Sequence, residues 1–403
     1  MKSSLPKVLH MVGSKPMVNH VVDAARLLEP KNIIVVISRK QPDVKKALAK
    51  DVRVVYQDKP LGTADAVKAA VREIPPNVKN VVVLYGDTPL VTEATIRALY
   101  DFHETKNVSC TVLSTRLNNP FGYGRILRNE AGQLIGIVEE KDATQTQKAI
   151  GEINTGIYCF NKEDLIEGLA HVKPSNQSGE FYLTDVLSWL FNKNKKIEAC
   201  VASDSCEVLG VNSLAQLVAA TQILRQRILE KFVENGVIII DFLTTFIDES
   251  VIIGPGTKIA PFTLIEKDVV IGRYCSIGPF CHLRHGTVIE DKVSLGNFTE
   301  IKNSSLGEET MVRHMSYIGD TKVGKKVNVG AGMVVANFDG KKKNKTVIKD
   351  KAFLGCNAVL IAPLVIGKNA VVGAGSVVLR EHHVPDGALV VGVPAKEIKK
   401  QKR

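Results

Sequence analysis

From residue 253 onward an aliphatic side chain recurs at every sixth position: Ile253, Ile259, Ile265, Ile271, Ile277, Leu283, Ile289, Leu295 and Ile301. A five-residue step restarts the count at Leu306, Val312 and Ile318, and another restarts it at Val323, Val329 and Val335. A last register takes in Ile348, Leu354, Leu360, Ile366, Val372 and Val378. Four positions after the first series stand small or β-branched residues: Thr257, Thr263, Val269, Cys275, Cys281, Thr287, Val293 and Thr299. A period of six is neither the 3.6 of an amphipathic helix nor the alternation of a half-buried strand. It predicts a solenoid with three flat faces, one aliphatic side chain per face, in which each coil buries its interior only against its neighbours. Cys275 and Cys281 occupy equivalent positions and read as packing residues. The long break between Val335 and Ile348 holds Asn337-Phe338-Asp339-Gly340 and a lysine run over residues 341–345. A solenoid accommodates an insertion as a loop leaving one edge, and such loops often carry binding, so the lysines are an expected anion contact.

The first 210 residues follow a different pattern. Apolar β-rich runs at 32–37, 52–56 and 81–85 read as buried strands, and 64–71, 93–105 and 183–190 read as helices. The alternation predicts an open, mostly parallel α/β sheet of Rossmann-like type, with ligands at the carboxyl ends of its strands. Asp87 directly follows one of those strands, as a structural turn residue or as a ligand for metal or phosphate. Between the halves, Ser213 with Gln216 forms a capping-box signature. Leu217, Leu224, Ile228 and Phe232 mark one face of a helix that Gly236 can end. The expected organisation is an α/β domain over 1–212, a linker helix over 213–236, a β-helix over 237–380 and a basic tail over 381–403.

Composition narrows the function. With 403 residues, 45% apolar and 24% charged, the chain has material for two or three cores and is not a disordered chain. Seven cysteines without a CxxC pair read as reduced thiols, neither a disulfide framework nor metal ligands. No apolar run approaches the ~20 residues of a membrane span. The opening MKSSLPKVLHMVGSKP lacks the apolar stretch of a signal peptide, so a soluble cytoplasmic protein is expected. Fifty-three basic against 42 acidic residues leave a net charge of +11, which calls for anionic partners. Aromatics are only 5% and do not interleave with the basic clusters, which disfavours single-stranded nucleic acid.

The order of LPKVLH, QDKPLGTADA, LYGDTPL, GYGRI, GIVEEKDA, EINTGIY, GEFYLTD and GVNS, then IGPFCHLRHG, GNFTEIKN, RHMSYIGD, VNVGAG and ANFDG, spans nearly the whole chain. In that order the chain resembles the bifunctional N-acetylglucosamine-1-phosphate uridyltransferase/glucosamine-1-phosphate acetyltransferase family. The resemblance implies a nucleotidyltransferase domain followed by a left-handed parallel β-helix of hexapeptide repeats. It implies small-molecule substrates (glucosamine-1-phosphate, N-acetylglucosamine-1-phosphate, UTP and acetyl-CoA), Mg²⁺, a homotrimer, no nucleic acid and no membrane insertion. In the first half it implies that Lys7 contacts the phosphates and that Gln57, Gly62 and Thr63 hold uracil. Tyr85, Gly124, Glu139 and Asn154 are implied to hold the sugar phosphate, with Asp87 and Asn212 on the metal. In the second half it implies His314 as the general base with Glu300 as its carboxylate partner. It implies Arg284, Lys302 and Lys343 for the phosphate, Tyr317, Asn328 and Asn337 for the sugar, and Ala331, Cys356 and Ala374 for acetyl-CoA.

The chain departs from the family pattern in five ways. Family chains open with a strand and a glycine-rich loop, LAAGxGTRM, and this sequence starts at the methionine of that motif. Either a start lies upstream or the first domain no longer transfers UMP. Phe338 stands where the family has Tyr, Cys356 where it has Ser, and Gly392 where it has an Arg for CoA phosphates. Lys396, Lys399, Lys400, Lys402 and Arg403 could substitute for that Arg. The solenoid is also shorter before Ile277 than the family pattern. Two other readings stay open at this stage: a nucleotidyltransferase/acetyltransferase of another sugar specificity, and a non-catalytic trimeric sugar-nucleotide binder.

Overall fold

The computed structural model describes residues 1, 3–173 and 179–398. The chain divides into two compact units, Met1–Ile223 and Leu224–Arg403, with the division inside the helix Leu214–Glu234. The helix has the expected cap: Gln216 N–H donates to Ser213 Oγ (3.2 Å) and Ser213 N–H to Gln216 Oε1 (2.9 Å). At its far end Gly236, at φ +85°, closes a Schellman turn in which Val237 N–H donates to Phe232 O (3.0 Å). No helix among the described residues is long and apolar enough to cross a membrane.

The second unit is a parallel β-helix whose three faces carry, among the described residues, ten, eight and seven strands, the tenth of the first face an antiparallel return strand. On the second face Phe246–Ile247 pairs with Leu264–Ile265, which pairs with His282–Leu283. Glu300–Lys302, Tyr317–Gly319, Val334–Ala336, Val359–Ile361 and Val377–Val378 follow in turn. The periodic aliphatics form its interior: Ile265, Leu283, Ile301, Ile318, Val335, Leu360 and Val378 are all essentially inaccessible. The residues four positions on serve the corners. Thr257 Oγ1 donates to Gly272 O (2.7 Å) and accepts Cys275 N–H (3.0 Å), while Cys281 Sγ lies 2.9 Å from Gly296 O. These side chains satisfy buried backbone groups that the tight corners leave unpaired. The insertion adds its residues between Val334–Ala336 and Thr346–Ile348, as a loop leaving the solenoid.

The β-helix outruns the expected limits. Ile247 precedes the first series on period, and Val384 and Val390 continue the last, all buried. The strand Leu389–Val391 pairs in parallel with Val371–Val372, and Lys396–Glu397 folds back on it. Residues 381–398 are therefore the final coil and its return strand rather than a tail. The polar stretch from Glu381 to Pro385 hides the periodicity that Val384 maintains. Lys399, Lys400, Lys402 and Arg403 lie outside the described residues.

The first unit is α/β, but its six-stranded sheet is mixed rather than mostly parallel. Ile197–Val201 runs parallel to Cys110–Arg116, whereas the ten-residue strand Glu152–Asn161 pairs antiparallel with three others. Gly124–Arg128 and Leu134–Val138 form a hairpin whose turn carries Gly132 at φ +77°. Such a short connection permits only antiparallel pairing. Among the described residues of this unit, the parallel character is confined to that first ladder and to Ile34–Ser38 with Arg53–Gln57. Strands Ile34–Ser38, Arg53–Gln57 and Asn80–Val83 are mostly half-buried rather than buried, each paired along one edge among the described residues. Helices Thr63–Val71, Glu93–Lys106 and Thr184–Asn192 stand where the pattern predicts them.

Candidate active sites

In the first unit, two clusters gather the residues named from sequence. Lys7, in the turn Lys7–Leu9, forms an ion pair with Asp87 and donates to Asn212 Oδ1 (2.7 Å). Val211 N–H donates to Asp87 O (2.8 Å), which ties the Asn212 segment to the strand end. The second cluster surrounds a cavity of ≈ 240 Å³ lined by Thr63, Tyr85, Glu139, Asn154, Tyr158 and Thr184, among others. Burial pushes the Tyr85 phenol up to about 12 and also raises the Glu139 carboxyl. Thr184 Oγ1 lies 3.5 Å from Glu139 Oε1. Asn154 is oriented from both ends: its Nδ2 donates to Tyr158 OH (2.7 Å) and its Oδ1 accepts Gly156 N–H (3.1 Å).

Two glycines permit this packing. Gly156, at φ +83°, leaves room for the Tyr85 ring, which a Cβ would meet at 2.8 Å. Gly62, at φ +125°, lets the chain before the helix Thr63–Val71 press against Phe181, whose carbonyl oxygen a Cβ would meet at 2.5 Å. Thr63 Oγ1 accepts Leu183 N–H (2.9 Å), and Gln57 Nε2 donates to Asp65 Oδ2 (2.7 Å) and Gly62 O (3.3 Å). Gly124 abuts Glu139. Sequence reasoning passed over Arg125, which is 1% exposed and ion-paired with Glu140 at 2.7 Å. Glu140 Oε2 also accepts Gly122 N–H (3.2 Å), so the pair anchors the GYGRI loop. An arginine between Gly124 and Ile126 in a β-pattern was its only signal.

In the second unit the site residues fall into two rows along the solenoid. One row is cationic. Glu266, Arg284 and Lys302 occupy equivalent positions on successive coils of the second face, and Lys343 reaches them from the inserted loop. They line a cavity of ≈ 420 Å³ with His285, Asn303 and Asp320. Lys343, and then Arg284, lower the Lys302 ammonium below its ordinary value, as expected of cations crowded together. The loop is built around Asp339, whose carboxylate accepts N–H bonds from Lys341 (3.0 Å) and Lys342 (2.8 Å) and from Asn344 Nδ2 (2.9 Å). The Lys342 N–H contributes most to holding that carboxyl far below its usual range.

The other row follows from strand register. Met311–His314 pairs with Asn328–Val329, which pairs with Phe353–Leu354 and then Val371–Val372. Continued by two residues, that register sets His314, Ala331, Cys356 and Ala374 one above another. His314, Cys356 and Ala374 are exposed. Tyr317 stands on the second face, between the rows in sequence. Its hydroxyl and the Asn337 amide both flank Gly319, and Asn337 Nδ2 donates to Asp320. Asn328 is half-buried on the first face. Phe338 and Gly392 are exposed.

Glu300 does not partner His314 as expected. Its Oε1 accepts from Arg284 Nη1 at 2.9 Å. No group among the described residues hydrogen-bonds the His314 ring. The reason is register: Glu300 projects from the second face beside Arg284, whereas His314 ends a strand of the first.

Residues 1–150 match the MobA-like NTP transferase domain family, 247–339 the GMPPB C-terminal domain, and 345–380 the bacterial transferase hexapeptide repeats. Along the whole chain it is similar to proteins described as bifunctional protein GlmU. That of Acetivibrio thermocellus is 41% identical, over 99% of this chain and 93% of the relative. That of Clostridioides difficile is 39% identical, over 99% and 94%. That of Shouchella clausii is 42% identical, over 97% and 93%.

Proposed function

The chain belongs to the bifunctional GlmU family, and from that premise we propose that it makes UDP-N-acetylglucosamine by two successive transfers. The β-helix moves acetyl from acetyl-CoA to glucosamine-1-phosphate. The α/β unit then moves UMP from UTP to the N-acetylated product. One observation carries the reading: three cations, Arg284, Lys302 and Lys343, crowd one cavity on the second face, while on the first face of the same solenoid an exposed histidine heads a row of small residues.

In the acetyl transfer, Arg284, Lys302 and Lys343 hold the sugar phosphate, and Tyr317, Asn328 and Asn337 orient the ring. His314 takes a proton from the glucosamine amine as the nitrogen attacks the thioester carbonyl. The amide forms as the carbon–sulfur bond breaks and CoA leaves as thiolate. Ala331, Cys356 and Ala374 offer a narrow strip along which the acetyl-CoA arm lies. Glu300 acts through Arg284, as a positioning residue for the phosphate.

In the uridylyl transfer, a phosphate oxygen of the sugar attacks the α-phosphorus of UTP in line and pyrophosphate leaves. Tyr85, Gly124, Glu139 and Asn154 hold the sugar, and Gln57, Gly62 and Thr63 hold uracil. Lys7 offsets charge on the phosphates. The Asp87 carboxylate and the Asn212 carboxamide oxygen already converge on one cation, the Lys7 ammonium, so this hard-oxygen pair suits Mg²⁺. A bound Mg²⁺ supplies further charge neutralisation at the phosphates.

A homotrimer completes the reading. Phe262, Phe280 and Phe298 stack along one corner at centroid spacings of 4.8 and 5.0 Å, and the exposed Met315 follows them beside His314. A second copy covering that exposed apolar seam would also bring groups to the unpartnered His314 ring. The protein works in the cytoplasm, where a chain whose seven cysteines are all free stays reduced.

The test is acetyl transfer to glucosamine-1-phosphate followed by chromatography. His314→Ala lowers kcat by at least about 100-fold, the low end for a general base, and the folded state persists because the ring is exposed. An unaffected rate refutes the mechanism. Chelation of divalent metal stops UMP transfer and spares acetyl transfer; equal loss of both argues against the Asp87–Asn212 assignment.

A further inference from the structure

The cationic cavity contains an acid that the proposed chemistry does not use. Glu266 lies on the second face one coil before Arg284, since Ile265 is in register with Leu283. Neighbouring strands stand about 4.8 Å apart, so the two side chains are direct neighbours. Glu266 Oε1 accepts from His282 Nε2 at 2.8 Å and lies 3.7 Å from Arg284 Nε. Its Oε2 accepts His285 N–H at 3.2 Å. Partial burial pushes the carboxyl up, but the His285 N–H, His282 and Arg284 outweigh it and hold the group below its ordinary value.

From the next coil Glu300 grips the same guanidinium through Nη1 at 2.9 Å. Arg284 is thus flanked by carboxylates from the coils on either side. Its Nε is buried without a hydrogen-bond partner, and the Glu266 carboxylate stands 3.7 Å from it, in ion-pair range. Arginine recognises phosphate through a planar fork, so the angle of that plane matters as much as its charge.

We propose that Glu266 is a positioning residue that sets the plane of the Arg284 guanidinium and so aims its free edge at the sugar phosphate. This rests on the proposed function, because it assigns Arg284 to the phosphate. Glu266 touches no reacting atom. It acts through Arg284 directly and through His282 and the His285 backbone, which keep its own carboxylate in place. The acid costs some phosphate attraction by its charge and returns it as orientation.

The experiment is calorimetric binding of inorganic phosphate and of glucosamine-1-phosphate to the full chain, with acetyl-transfer kinetics in parallel. Glu266→Gln keeps the shape and an acceptor for His285 N–H while removing the charge. Binding of both ligands weakens about tenfold, the low end for one hydrogen bond to a charged group, and KM for the sugar phosphate rises far more than kcat falls. In an Arg284→Ala background the same change adds no further loss. Unchanged or tighter phosphate binding by Glu266→Gln overturns the inference, as does an equal loss without Arg284 or the absence of phosphate binding to the unaltered protein. A protein that binds both ligands with the predicted coupling yet transfers no acetyl group refutes the functional reading alone.

Discussion

Replacing Leu283 by Ala tests whether the six-residue period is the structural core that positions the phosphate site. Leu283 is fully inaccessible and stacks between Ile265 and Ile301, and the residue after it is Arg284. The substitution deletes three carbons from an interior that backbone hydrogen bonds on all three faces keep from collapsing. Leu→Ala changes at such sites cost about 2.7–5.0 kcal/mol, so about 3 kcal/mol is expected. For a unit of roughly 180 residues, each kcal/mol lowers the melting temperature by about 2–4 °C, giving a fall of about 6–12 °C. Each coil touches only its neighbours, so the damage centres on the coils that carry Arg284 and Lys302. Differential scanning calorimetry of the full chain reads the β-helix transition, with the α/β transition as internal reference. A shift below about 1 °C, or the same shift in both transitions, refutes the assignment of Leu283 to a rigid core.

The remaining predictions concern titration and thiols. Burial raises the Glu139 carboxyl, so the native state keeps a proton that the unfolded chain releases near its ordinary value of about 4.3. The penalty is absent below that pH and grows as pH rises through the raised native value. Glu139→Gln therefore gains stability over the unaltered protein from pH 4 toward 7 in urea denaturation, and a gain that shrinks with pH contradicts the burial argument. Cys356 is exposed, whereas burial pushes the Cys159 thiol up to about 12 and the Cys281 thiol up to about 11. Maleimide modifies Cys356 first, and saturating acetyl-CoA slows that reaction; faster labelling of a buried cysteine, or no protection, opposes the placement of the acetyl-CoA strip.

Much of this protein is legible in its residues because its β-helix is a local code. The inward series from Ile253 to Val378 reappears as a buried stack, and Thr257, Cys275 and Cys281 serve the corners as their spacing implies. The same period could have carried the solenoid on to Val384 and Val390, where polar neighbours concealed it. The helix cap at Ser213 was equally local, needing only Gln216 three residues on. Strand direction in the α/β unit was not. Whether Glu152–Asn161 pairs parallel or antiparallel depends on partners drawn from residues 80, 110 and 124, and no local pattern names them.

The site divides along the same line. The family resemblance pointed to Arg284, Lys302, Lys343 and His314, and the break in the repeat marked the lysine run independently. The partner of Glu300 and the placement of Glu266 emerged only from stacking. By itself the sequence determined which side chains face inward, because a period of six leaves one inward position per face. Tertiary structure decided which outward side chains meet. Those contacts join residues a whole coil apart, and coils of 17, 18 or 25 residues bring different partners level. Arg284 is paired to a glutamate in the coil on each side because backbone register puts them there. No spacing along the chain requires it.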